Sequence, residues 1–345
     1  MKTIILKKLL VMEQNINIYD EYGNVQDIKV GNQSLKQTNY ATKNGNILNT
    51  KYGNNQNIKY EYDRFNRLIK KEKTTGNVEF IYDAKSNLKT VKDNTTEITQ
   101  NYKYDLSNRI ISVENSKGLT ILYDYDDNSN VSKIEYKING TNNNVNYNYD
   151  SNNLINNIAF KDSYFKINYD RLARTTSQEI NNEKGKYVIE YKYKDIQDKN
   201  RTTTILESIK NGENESINYT YNSMGYIETI KEGNNLLAKY YYDKLGQVIR
   251  EDDKEHKKTT IYDYDLNGNI LNKKEYEYTE ADITTQPIKI IEYIYNNANW
   301  KDQLTSYNGK EIKYDEIGNP ILYDGNIYKW QNGRELASIQ NEQKN

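Results

Sequence analysis

The sequence predicts an all-β protein, a continuous antiparallel meander of short hairpins. Three observations predict it. A tyrosine, most often paired with a following aspartate, then a short polar loop and an aliphatic residue, recurs about every 20–22 residues, some fourteen times with weaker copies included, as at Tyr62, Tyr82, Tyr104, Tyr125 and again at Tyr221, Tyr242, Tyr264. The segments before each pair are aromatic and β-branched with a period of two, the pattern of strands. Only 2 of 345 residues are proline, so little interrupts a ladder of backbone hydrogen bonds.

Each element of the unit follows in order. Val78-Glu79-Phe80-Ile81-Tyr82 alternates and reads as a strand. Asp83-Ala84-Lys85-Ser86-Asn87 carries Asp and Asn, which bond their own backbone and tolerate left-handed conformations. Sibling copies place Gly23, Gly246, Gly268 and Gly318 at the equivalent turn position, where positive φ is free of steric cost. Leu88-Lys89-Thr90-Val91 is a second strand, and a second turn, such as Thr74-Thr75-Gly76-Asn77, closes the unit. The signature pairs are Tyr62/Asp63, Tyr82/Asp83, Tyr104/Asp105, Tyr125/Asp126, Tyr149/Asp150, Tyr169/Asp170, Tyr242/Asp243, Tyr264/Asp265 and Tyr314/Asp315. The spacing lengthens at Tyr193–Tyr221 and Tyr264–Tyr295, which predicts longer hairpin loops there. A second aromatic two residues before many of these tyrosines, as in Tyr60/Tyr62 and Tyr240/Tyr242, shares the strand face. This predicts tyrosine rows whose rings supply buried area while their hydroxyls reach water or backbone.

Composition narrows the chemistry. With no cysteine, the chain has no disulfide, thiolate metal site or cysteine nucleophile. Its one histidine, His256, stands in a charged run that reads as a solvated hairpin, with no nucleophile elbow or HExxH around it. Charges balance at 48 basic to 49 acidic, so no basic field points to nucleic acid. No stretch approaches the roughly 18 apolar residues of a membrane-spanning helix. Hydrophobic residues are only 35% of the chain, but 35 tyrosines and abundant Ile and Thr set it apart from disordered sequences.

The repeated Y-D-x-x-G-N-aliphatic unit resembles the YD repeats of the Rhs family, which includes bacterial polymorphic and wall-associated toxins, the B/C shell of insecticidal toxin complexes and the YD shell of teneurins. A second block strengthens the resemblance: Asp315, Gly318, Asn319 and Pro320 run into Trp330, Gly333, Arg334 and Leu336, similar to a G-N-P…W-x-x-G-R-x-L block found late in such arrays. The resemblance spans nearly the whole chain. It implies hairpins wound as an open spiral sheet, a partial hollow shell, around a variable C-terminal effector. It also implies secretion or cell-wall association, with an effector and a core segment as partners, in cis or from a neighbouring gene. The D-P-x-G motif of the family's self-cleaving core is absent, so the expectation is an excerpt of the shell whose exposed edge strands drive self-association.

Elsewhere the expected readings are plain ones. Asp265-Leu266-Asn267-Gly268-Asn269 fails as a calcium loop, because Ile270 and Tyr276 stand where Gly and Glu are required. Acid pairs such as Asp126/Asp127 and Asp252/Asp253 read as solvated turn residues rather than catalysts. The start of the chain lacks an uninterrupted apolar core and an A-x-A site, and does not make a convincing signal peptide. The domain reading is residues 1–15 as a lead-in strand, 16–339 as the repeat array and 340–345 as a disordered tail. No catalytic, metal or cofactor site is assigned, and the expected function is a non-catalytic shell segment. The alternative is a cell-surface adhesion module that binds glycans through its tyrosine rows.

Overall fold

A computed structural model describes residues 15–195 and 202–341. These are all-β: thirty strands and no helix, from Asn15–Tyr19 to Glu335–Asn341, with antiparallel pairing between neighbours in sequence. Of the predicted lead-in strand, only Asn15 falls among the described residues, where it opens the first strand. The predicted tail boundary is corrected by two residues. Gln340 pairs with Ile327 and Asn341 with Asn326, so the ladder continues past 339. Residues 342–345 lie outside the described residues.

The sequence reads as one uninterrupted array, whereas the folded chain divides into two compact units. The first comprises Met1–Thr99, Ile261–Glu275 and Pro287–Asn345, and the second Gln100–Thr260 and Tyr276–Gln286. The two long spacings resolve differently. The first contains the long strands Gly185–Asp195 and Thr202–Asn211, and residues 196–201 between them, where the longer loop is expected, lie outside the described residues. The second contains the irregular stretch between Ile270–Glu277 and Lys289–Ile294. Within the second unit, Arg250 holds part of it by donating to the carbonyls of Thr279 and Ala281 at 2.7 and 2.9 Å.

The signature Tyr-Asp loops share one build. In the loop at Asp63, the aspartate carbonyl accepts from the Asn66 N–H at 3.0 Å and its own N–H donates to Arg67 O at 2.9 Å. Asn66 sits at φ 62°, and the ladder slips by one residue just before Tyr62. This is a tight turn closed by a left-handed residue and a β-bulge. The left-handed place is filled by Gly23, Gly246 and Gly318, and also by Asn108, Asn153, Ser86, Ser129 and Ala173. Glycine is therefore favoured there but not required.

The buried residues are few and mostly polar. Among the described residues, the buried apolar side chains are Val30, Leu35, Ile58, Ala238, Ile291 and Ile317, against eleven polar ones including Thr38, Thr50 and Thr259. Asp252 and Asp253, expected as solvated turn residues, are buried instead: they end the strand Val248–Asp253, and Asp252 Oδ1 accepts Arg250 Nε at 2.7 Å. An apolar core this small leaves hydrogen bonds between hairpins to hold the layers in register.

Candidate functional site

Most of the loop aspartates use both carboxylate oxygens. Oδ1 of Asp105 accepts the backbone N–H groups of Ser107 and Arg109 at 2.8 and 2.9 Å, and Oδ2 accepts Arg109 Nε at 2.7 Å. Asp63 and Asp170 repeat this with Arg67 and Arg174, while Asp20, Asp83, Asp126, Asp265 and Asp315 use an asparagine in the arginine's place. Asp150 and Asp243 receive the two backbone donors. The backbone N–H and guanidinium of Arg109 hold Asp105 below the ordinary aspartate value of 3.8. Burial pushes the carboxyls of Asp63, Asp83, Asp126 and Asp170 up, but their backbone and side-chain donors together outweigh it, and all four are lowered.

The tyrosines join each loop to the one before it. Tyr82 donates its hydroxyl to Leu68 O at 2.8 Å, Tyr125 to Ile110 O at 2.6 Å, Tyr149 to Val131 O at 2.9 Å, Tyr169 to Ile155 O at 2.8 Å and Tyr242 to Ile227 O at 2.7 Å. The acceptor is in each case the aliphatic residue that closes the preceding signature. Burial pushes these phenols up, keeping them protonated donors. Where the loop carries arginine, its guanidinium also covers the next tyrosine: Arg67 lies 4.6 Å from the Tyr82 ring centre and Arg109 lies 4.3 Å from that of Tyr125. Ring stacking is seen at Tyr226–Tyr242, 5.1 Å apart, but the recurring link is hydroxyl to carbonyl. Tyr125→Phe keeps the ring under Arg109 and removes only this bond. It is expected to lower the unfolding free energy by about 1 kcal/mol in urea denaturation.

The tryptophan block gathers most of the remaining signature residues in one place. Asp315 Oδ2 accepts Asn319 Nδ2 at 2.8 Å and Asn54 Nδ2 at 2.9 Å. Asn319, buried, also donates to Gly333 O at 2.9 Å. Gln56 brackets the last turn, accepting Gly333 N–H at 2.7 Å and donating to Trp330 O at 3.1 Å. Trp330 Nε1 donates to Pro320 O at 2.7 Å, and Arg334 donates to Ile317 O at 2.5 Å. Asn332 reaches Thr75 at 3.1 Å, and Lys73 pairs with Glu335 at 3.2 Å. Ile317 is 0% exposed and packs with Val30 and Leu35, flanked by Ile28, Tyr52 and Trp300. Two glycines permit this approach. A Cβ on Gly333, at φ +90°, would lie 2.7 Å from the Tyr52 ring, and one on Gly53 would overlap the Ser34 carbonyl oxygen.

The result is a clasp within the first unit, joining turns 257–283 residues apart in sequence. Its C-terminal half includes the signature residues Asp315, Asn319, Trp330, Gly333 and Arg334, but its central side chain, Ile317, is not one of them. Its N-terminal half, Val30, Leu35, Gly53, Asn54 and Gln56, carries no Tyr-Asp signal, and sequence reasoning missed it. The available clue was the run Tyr52-Gly53-Asn54-Asn55-Gln56, which departs from the other second turns. The other signature residues, from Tyr62/Asp63 to Tyr264/Asp265, are not brought to one point but recur loop by loop. His256 lies on a hairpin turn with Nδ1 2.8 Å from Asp253 Oδ2.

Fold and site together define an all-β repeat protein whose signature residues join one hairpin to the next. No family model and no curated protein matches the chain. Among solved structures it is similar to a chain in the crystal structure of TcdB2-TccC3-Cdc42, with TM-score 0.42, 13% identity, and coverage of 97% of this chain and 22% of that one. It is also similar to a Photorhabdus luminescens Tc holotoxin pore, with TM-score 0.43, 12% identity and coverage of 94% and 21%. A porin-like protein from Bacteroides uniformis matches with TM-score 0.25, 10% identity and coverage of 71% and 95%. The chain spans about a fifth of the length of the two toxin-complex chains.

Proposed function

We propose that the chain is a non-catalytic wall segment of an Rhs/YD-repeat shell that encloses or presents a C-terminal effector, on a protein that is secreted or associated with the cell wall. The observation that carries this reading is where the polar signature goes. The aspartate is committed to its own loop and the tyrosine hydroxyl to the preceding hairpin, so the side chains with chemistry build the wall. A thin, polar core suits a wall that faces water or cargo rather than a second layer. The test is co-expression with the polypeptide encoded immediately downstream, followed by co-purification and limited proteolysis. The expected result is a stable complex in which the downstream polypeptide resists protease. If it does not co-purify, or is cut at the same rate with and without the chain, the shell reading fails.

A second reading, glycan adhesion, has one observation in its favour. A groove of about 550 Å³ between the Asp20 loop and residues 41–45 is lined by Tyr22, Tyr40, Asn24, Asn39 and Asn44, aromatic faces beside amides. A glycan array probed with the same protein separates the two: saturable binding lost in Tyr22→Ala supports adhesion.

A further inference from the structure

Six Asn-Gly pairs stand in the sequence, at Asn44, Asn139, Asn211, Asn267, Asn308 and Asn332. Such a pair can modify itself. The glycine nitrogen, once it loses its proton, attacks the asparagine Cγ, and no Cβ on the glycine hinders the approach. The bond from Cγ to the side-chain nitrogen breaks, and that nitrogen leaves as ammonia, taking up a proton. Water then opens the cyclic imide to an aspartyl or isoaspartyl residue, with no oxidant, reductant or cofactor consumed.

Within the first unit two of these pairs have opposite surroundings. Asn308-Gly309 is an exposed turn with φ 48° and 76°, and nothing lies within 4 Å of the place a Gly309 Cβ would take. Asn332, 4% exposed, lies in the clasp beside buried Gly333. Both reacting groups are tied there. The Gly333 N–H donates to Gln56 Oε1 at 2.7 Å, which keeps its proton in place. The Asn332 amide donates to Glu335 Oε2 at 2.8 Å and to Thr75 Oγ1 at 3.1 Å.

We propose that Asn332-Gly333 is a self-modification site that the closed clasp withholds, and that its product prevents the clasp from closing again. Opening frees the Gly333 nitrogen and lets the turn flex, so the reaction proceeds from the open fraction. The product no longer fits. A carboxylate oxygen in place of Nδ2 faces Glu335 Oε2 at hydrogen-bond distance with no proton between them. Glu335 is itself ionised: the Asn332 amide, and after it Lys73, hold its carboxyl below the usual value despite burial. The isoaspartyl form adds a methylene to the backbone of a turn where even a Cβ on Gly333 would lie 2.7 Å from the Tyr52 ring. Each opening therefore adds to a fraction of chains that cannot close. The proposal is independent of whether the chain walls a shell or binds glycans.

Peptide mapping by mass spectrometry, on the full chain held at mildly alkaline pH, tests it. Asn308 and Asn332 fall in separate tryptic peptides, 302–310 and 330–334, so both rates are read in one sample. Asn332 is expected to convert at least about tenfold more slowly than Asn308. Gln56→Ala, which releases the Gly333 N–H, should bring the two rates within about threefold. Should that variant misfold, urea below the unfolding transition serves, and it should speed Asn332 severalfold in the wild type. The chain's two tryptophans, Trp300 and Trp330, both lie at the clasp, so their emission reads its closure. After the urea is removed, chains converted at Asn308 alone should recover the native emission, and chains converted at Asn332 should not. Equal rates at the two sites in the untreated wild type overturn the proposal. So does an Asn332 rate unmoved by both Gln56→Ala and urea, or native emission from chains converted at Asn332.

Discussion

Ile317→Ala is expected to lower the unfolding free energy by about 3 kcal/mol, whereas Leu245→Ala, at the same repeat position, should change it by less than about 0.5 kcal/mol. Ile317 is fully buried against Val30 and Leu35, and truncation leaves a cavity that Gly53 and its rigid backbone neighbours cannot close. Leu245 already stands in solvent and has little burial to lose. Urea denaturation of both variants in dilute solution, where association does not contribute, checks the pair. Equal effects would mean that the clasp does not hold the first unit together.

Acid is expected to unfold the chain steeply once the pH falls below about 4, with little change between pH 5 and 8. The carboxyls of Asp20, Asp63, Asp83, Asp105, Asp126 and Asp170 all lie below their ordinary 3.8 in the folded chain. Their contribution is complete above that value and is lost as the pH falls through the lowered folded values. Glu135, lowered to about 2 by Lys137, Lys133 and Asn142, acts in the same direction. Protonation removes the acceptor from one loop after another, so many small losses add up in one pH window. Far-UV spectra titrated from pH 7 to pH 2 should show the loss, and Asp105→Asn should shift its onset upward. A chain that keeps its spectrum at pH 2.5 would show that the loops do not depend on charge.

Much of this architecture could be read in the residues. Tyr125 and Asp126 announce a strand end and a turn because their chemistry is local: the aspartate bonds residues two and four places on. The left-handed residue is legible for the same reason, although Ala173 at φ 60° shows that a loop with enough bonds tolerates a poor choice. The direction of the tyrosine hydroxyl was only half legible. Alternation puts Tyr82 on a face, but the bulge before it helps decide that it reaches Leu68 O. The seat for Ile317 was not legible. The run around Asn54 and Gln56 is unusual as a turn, but nothing local says that residues 261 and 274 places away will meet it.

That separation has a consequence in time. Tyrosine links span about 14–18 residues and can close while the chain is still being made. The seat at Val30 and Leu35, by contrast, stays empty until Ile317 has been synthesised, roughly half a minute later at about 10 residues per second. During that interval the apolar notch at Val30 and Leu35 is open to chaperones and to neighbouring ribosome products. A chain truncated before residue 317 would carry the notch permanently.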